Sequence, residues 1–163
     1  MITLLLNQGA NVNHLDLDGN SPLSTYLRTP RTFGDRTAIS RFLLKRGADP
    51  LWTDGYGQTL AHIAMNNYEA EAGVLELLNA YGVDLSMKDK QGRSFLHYGA
   101  IYGSLTNRMI PFLPRNKLDG IYEGDLEDKS PLMHAAAGAE AAKEGRRRAG
   151  KYGPRGWRRS WKV

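Results

Sequence analysis

The chain has 163 residues, enough for one compact domain or a short repeat array, and 41% of them are hydrophobic. It contains no cysteine, which excludes disulfide scaffolds, thiolate zinc sites and cysteine nucleophiles. The formal net charge of +5 hides an asymmetry: residues 1–145 hold 14 basic and 17 acidic groups, whereas residues 146–163 hold eight basic groups and no acidic one.

The first aliphatic run, Ile2–Leu6, is far too short to cross a bilayer. It also lacks the basic flank and small-residue cleavage site of a secretory signal, so an intracellular protein, cytoplasmic or nuclear, is expected. Ile2/Leu5/Leu6 is spaced as a helical stripe, and Gly9 follows where a helix end wants a left-handed residue. Asp16-Leu17-Asp18-Gly19 reads as a tight turn. Ser21-Pro22 then places a hydroxyl at a helix N-cap and a proline at the first helical position. A loop is predicted over Arg28–Asp35, holding Pro30 and Gly34, before the stripe Ile39/Phe42/Leu43 and Gly47-Ala48-Asp49.

The same order returns. Asp54 to Gly57 leads to Thr59 as cap, then Val74/Leu77/Leu78 and Gly82-Val83-Asp84. Asp89 to Gly92 leads to Ser94, then Met109/Phe112/Leu113, where Pro111 predicts a kinked or shortened helix and Leu118 replaces the closing glycine. Asp125 to Asp128 leads to Ser130-Pro131 and a helix that loses its pattern after Lys143. The anchors at Gly19, Gly57, Gly92 and Asp128 are 38, 35 and 36 residues apart. Each unit thus predicts a turn, a short helix, a second helix whose stripe is core, a glycine and an extended return.

This pattern resembles the ankyrin repeat, in which Asp-x-x-Gly-x-Thr-Pro-Leu-His is followed, after two helices, by Leu-Leu-x-x-Gly-Ala-Asp. Asp54, Gly57, Thr59 and His62 match it, as do Asp89, Gly92, Ser94, Leu96 and His97, and Asp16, Gly19, Ser21, Pro22 and Leu23. Leu43-Leu44-Lys45-Arg46-Gly47-Ala48-Asp49 matches the closing segment. The resemblance covers about Ile2 to Lys143. It implies an all-α solenoid of stacked helix-turn-helix units with short hairpin turns, about three full units and two partial ones. The units run longer than the family's spacing of about 33 residues, which marks a diverged array. The expected division is an array over 1–145, incomplete at both ends and so a piece of a longer array or a truncated product, and a disordered basic tail over 146–163.

The recurring histidines read as architecture. His62 and His97 occupy equivalent positions in stacked units, whose helices lie about 8–10 Å apart, so they cannot easily share one metal ion. No nucleophile elbow accompanies them. The resemblance implies that each bonds the backbone of a neighbouring loop. His14 and His134 have no metal-spaced partner and read as loop or packing residues. Asp16/Asp18 and Asp125/Glu127/Asp128 read as turn formers on a solvated rim, and Gly55-Tyr56-Gly57 as a turn rather than a phosphate cradle. No enzyme activity, cofactor, metal or membrane contact is expected.

What remains is a surface. The resemblance implies a concave face of hairpin tips and first helices that grips a partner protein. The candidates are Leu17, Asn20, Tyr56, Gln58, Lys90, Gln91, Arg93 and Tyr102, with Met65, Asn66, Asn67 and Ile101 as further positions at first-helix ends and Gly55 within its turn. Tyr56, Arg93 and Tyr102 lead, because tyrosine and arginine tend to anchor interfaces. Trp52 stands where the family has a small buried residue, and core packing is favoured for it over an exposed anchor.

The tail from Gly145, GRRRAGKYGPRGWRRSWKV, has no apolar stripe and cannot order itself by burial. Three readings of it stay open. It could bind nucleic acid through Arg146, Arg147, Arg148, Arg155, Arg158 and Arg159, with Trp157 and Trp161 stacking on bases. It could be a nuclear address or a contact for an acidic surface, or an accidental reading frame past the true coding end. The first of these supplies the alternative function, a nucleic-acid-associated protein with the array as scaffold and nucleic acid bound through the tail only.

Overall fold

The computed structural model describes residues 1–29, 35–66, 71–105 and 119–138. Its helices are α1 (Ile2–Asn7), α2 (Pro22–Arg28), α3 (Arg36–Lys45), α4 (Leu60–Met65), α5 (Ala72–Ala80), α6 (Phe95–Tyr102) and α7 (Asp119–Tyr122), and residues 131–138 are also helical. Among the described residues there is no strand, only an isolated bridge between Thr53 and Thr59, so the described part of the chain is all-α. Asn67, the stripe Met109/Phe112/Leu113, Pro111, Leu118 and every tail residue from Arg146 lie outside the described residues.

Four hairpin turns set the frame, and each is tied by the same bonds. The backbone N–H of Asp16, Asp54, Asp89 and Asp125 donates to the carbonyl four residues on, at 2.9–3.1 Å. The Oδ1 atom of each aspartate accepts from two further N–H groups. For Asp89 these are Gln91 N (2.8 Å) and Arg93 N (2.9 Å), and for Asp125 they are Glu127 N (2.9 Å) and Lys129 N (3.0 Å). The chain reverses through a left-handed residue at φ 78°, 78° and 75° for Gly19, Gly57 and Gly92. Glycine has no Cβ to clash there, whereas Asp128, in the fourth hairpin, holds φ 58° with a side chain.

The helix starts follow from the capping residues. Ser21 accepts from Ser24 N at 3.2 Å while its own N–H donates to Ser24 Oγ at 2.9 Å, and Pro22 occupies the first helical position. Thr59 and Ser94 form the equivalent boxes with His62 and His97. Helices of six to ten residues are too short to persist alone, so packing decides. In one layer α4 packs between α2 and α6; in the other α3 packs on α5, with α2–α3 and α4–α5 contacts joining the layers. Leu23, Leu27, Leu60, Ile63, Met65, Leu75, Leu78 and Phe95 are fully buried between them, each contributing about 1.5–3 kcal/mol by removal from water.

Three details depart from the sequence pattern. The stripe Ile2/Leu5/Leu6 was expected in the core, yet α1 has no buried residue and only Leu6 packs against the core, partly buried. In α3 the buried apolar residues are Leu43 and Leu44, with Ile39 and Phe42 at the core's edge. Where the third unit was expected to return extended, α7 forms a helical turn that sets Ile121 against the core.

Candidate functional site

The two histidines that recur in the sequence are pins between units. His62 Nδ1 accepts from Thr59 N–H at 3.1 Å, so its proton sits on Nε2, which donates to the Arg93 carbonyl at 2.9 Å. His97 repeats this with Ser94 N–H (3.1 Å) and the Lys129 carbonyl (3.1 Å). Both rings are buried, and burial pushes both imidazoles below their usual pKa, which keeps them neutral as the cap requires. Hairpins are further joined by Lys90 N donating to Tyr56 O and Leu126 N to Gln91 O, each at 2.9 Å. Trp52 is buried and donates from Nε1 to Gly19 O at 3.0 Å, as the core reading of it expected, and so ties the first hairpin to the second.

Each hairpin aspartate also offers its Oδ2 to a side chain. Asn20 Nδ2 meets Asp16 at 3.1 Å, Arg28 Nη2 meets Asp54 at 2.8 Å, the Tyr98 hydroxyl meets Asp89 at 2.8 Å, and His134 Nε2 meets Asp125 at 2.8 Å. Two expectations are corrected by this. Asp125 does not lie on a solvated rim, since its carboxylate is almost wholly enclosed, and His134 is its hydrogen-bond donor rather than a plain packing residue. Burial alone would raise the Asp125 pKa, but the His134 bond and the N–H groups of Lys129 and Glu127 outweigh it and hold it at about 2. Tyr98 is driven well above the ordinary phenol value by burial and by its bond to Asp89, so it stays a donor.

The second and third hairpins and the ends of α4 and α6 enclose a pocket of about 250 Å³, lined by Tyr56, Gln58, Asn66, Asp89, Gln91, Arg93, Tyr98, Ile101 and Tyr102. Five of the eight leading candidates meet here, Tyr56, Gln58, Gln91, Arg93 and Tyr102, together with Asn66 and Ile101 of the further positions. The other three do not. Leu17 is fully exposed at the first hairpin tip, Asn20 turns its amide onto Asp16, and Lys90 Nζ is engaged with the Gly55 carbonyl at 2.8 Å. Asp89 and Tyr98 were not singled out. Tyr98 stands four residues after its cap Ser94, as His134 does after Ser130, and that shared offset is the signal that could have found both.

The tyrosines form one wall, Tyr98 stacked on Tyr102 with centroids 6.3 Å apart, while Tyr56 is 70% exposed at the rim. Two side-chain atoms of residues that line it, Gln58 Oε1 and Arg93 Nε, are shielded from solvent and have no hydrogen-bond partner among the described residues. Arg93 Nε lies 3.7 Å from Asp125 Oδ2, close enough for attraction but too far for a hydrogen bond.

Comparison with known proteins gives a partial match. A stretch of 63 residues is 44% identical to the ankyrin repeat and LEM domain-containing protein 1 homolog of Caenorhabditis elegans. The match takes in 39% of this chain and 8% of that protein's length. No family model matches the chain. The similarity points to ankyrin repeats, in line with the sequence pattern. Among the described residues no group of three or more His, Asp or Glu side chains could hold a metal ion, and no helix is long and apolar enough to cross a membrane.

Proposed function

We propose that the chain is a diverged ankyrin-type solenoid and acts as a non-enzymatic protein-interaction module inside the cell. It grips a partner protein on the face built from the hairpin tips and the ends of the first helices. The observation that carries this is the pocket between the second and third hairpins, where Tyr56, Tyr102 and Arg93 converge. Aromatic residues with a guanidinium at their centre are the usual anchors of protein interfaces. The partial similarity to an ankyrin repeat protein supports the same reading. Leu17, Asn20 and Lys90 then belong to the outer part of this face, where contacts exclude water more than they contribute energy.

The test is an affinity capture from native cell extract, using the full chain and its Tyr56→Ala/Tyr102→Ala variant side by side, with and without nuclease. Proteins retained by the wild type and lost from an equally stable variant would support the reading. Identical sets from both would overturn it. Capture that vanishes on nuclease treatment would move the function to nucleic acid and to the basic tail.

A further inference from the structure

We propose that the two ends of the stack fit each other, so that copies of this chain associate head to tail, α1 of one copy completing the fourth unit of another. The proposal goes beyond partner binding on the hairpin face and does not depend on the pocket.

Position within the unit shows what each end leaves open. The leucine four residues before the closing glycine is Leu43 in one unit and Leu78 in the next, 4% and 0% exposed. The same position in α1 is Leu5, which is 54% exposed, and Leu4 beside it is exposed where its counterpart Leu77 is buried. At the other end, the residues two and three after the cap hydroxyl are Leu23 and Ser24, Ala61 and His62, and Leu96 and His97, all buried. After Ser130 they are Leu132 and Met133, 65% and 58% exposed. Both ends thus turn apolar side chains to solvent at positions that are covered inside the stack. A solenoid end that stays single needs a polar outer face, and exposed apolar patches mark contact surfaces.

The two ends are opposite halves of one unit, which argues for a second copy as the occupant. α1 closes on Gly9 at φ 88°, as α3 closes on Gly47 at 88° and α5 on Gly82 at 85°, so it is a second helix. Residues 131–138 follow the cap Ser130, as α4 follows Thr59 and α6 follows Ser94, so they form a first helix. Inside the stack a first helix packs on the second helix of its own unit, α2 on α3 and α4 on α5. Residues 131–138 of one copy and α1 of another make the same pair. Met133 stands where His62 and His97 reach the following hairpin, so it meets the first hairpin of the other copy.

The hairpins continue in the same register. Lys90 N donates to Tyr56 O, and Leu126 N donates to Gln91 O. In both bonds the residue after one aspartate reaches the residue two after the preceding one. Across the junction the corresponding groups are the Leu17 N–H and the Glu127 carbonyl, and the exposed Leu17 and Leu126 lie at the tips being joined. A contact between unlike surfaces leaves one of each open after every addition, so association continues into rings or open chains.

The experiment is sedimentation velocity of the nuclease-treated full chain over a range of concentrations. Beside the wild type run Leu5→Glu, Leu132→Glu/Met133→Glu and an equimolar mixture of these two variants. The wild type should show a mass that rises with concentration past the dimer. Each variant alone has one end spoiled in every copy and should associate at least about tenfold more weakly, because a charge would be buried without a partner. The mixture is decisive. One variant keeps its fourth-unit end and the other keeps its α1 end, so together they should form a pair that grows no further. Should a glutamate variant melt at a lower temperature than the wild type, Leu5→Gln and Leu132→Gln/Met133→Gln give the same reading. A wild type that stays monomeric up to about 1 mM would overturn the proposal. So would a mixture that behaves as its separate variants do, or association that both variants keep. In that last case its loss on added salt would assign the contact to the basic tail.

Discussion

His62 and Arg93, 31 residues apart, are joined by a single hydrogen bond of 2.9 Å from an imidazole Nε2 to a backbone carbonyl. Because the other ring nitrogen closes the cap of α4, one side chain both starts a helix and positions the next hairpin. That hairpin supplies Asp89, Gln91 and Arg93 to the pocket. The packing of the helices and the shape of the candidate site therefore depend on the same bond.

His62→Ala removes the cap, the pin and a buried ring together. A loss of about 2–4 kcal/mol is expected, since it leaves the buried Thr59 N–H unmatched, takes from the Arg93 carbonyl one of its two donors and opens a cavity. Urea unfolding of the full chain checks this. A loss below about 1 kcal/mol would show that the ring only fills space.

The same bonds set the response to acid. Burial is the first cause of the lowered pKa at both His62 and His97, with the Arg93 and Lys129 carbonyls and nearby carboxylates offsetting part of it. The unfolded chain therefore takes up these protons near 6.5, before the folded one does. Their contribution is complete above that pH and declines as pH falls below it. Asp125 acts lower: its contribution is present above 3.8 and is lost as pH falls toward about 2. Urea midpoints measured from pH 8 to 2 should fall in two stages, and a His62→Gln/His97→Gln variant should lose the upper one. A midpoint flat between pH 7 and 5 in the wild type would contradict this account.

The turns, caps and histidine pins were legible because they depend on residues at fixed local offsets: an aspartate, a glycine three later, a hydroxyl two beyond, a histidine three beyond that. Five of the eight leading surface residues meet in the pocket for the same reason, since hairpin register fixes where they project. The partners of the aspartate Oδ2 atoms were not legible as a set. They are an asparagine, an arginine, a tyrosine and a histidine, and Arg28 reaches Asp54 from 26 residues upstream. The arginine contact arises only once units stack, whereas Tyr98 and His134 each reach the aspartate nine residues upstream in their own unit. The helical turn at α7 was hidden because its segment lacks the closing glycine that marks the return in the other units. Lys90 and Asn20 were read as free surface, yet hydrogen bonds within and between the hairpins engage them.

Asp128 is the one hairpin reversal built without glycine. Its φ of 58° lies in the left-handed region, where a Cβ is strained, although aspartate tolerates it better than most. Asp128→Gly should raise stability by about 0.5–1 kcal/mol, the scale of such backbone effects. A thermal melt on the full chain would register this as a rise of a few degrees. No change, or a fall, would show that the exposed Asp128 carboxylate contributes more to the fourth hairpin than its backbone strain removes.

The first hairpin offers a test of how local these ties are. It is held to the second through Trp52 Nε1 and the Gly19 carbonyl, at 3.0 Å. Trp52→Phe keeps an aromatic ring in the core and deletes that donor, so a loss of about 1–2 kcal/mol is expected. Hydrogen exchange locates the effect. The amides of Asp18 and Asn20, which donate to Asp16, should exchange faster, while those of Gln91 and Arg93 in the third hairpin should change little. Units that contact only their neighbours should respond in this graded way. Equal acceleration at both hairpins would instead mean that the array opens as one cooperative body, and that Trp52 acts on all of it.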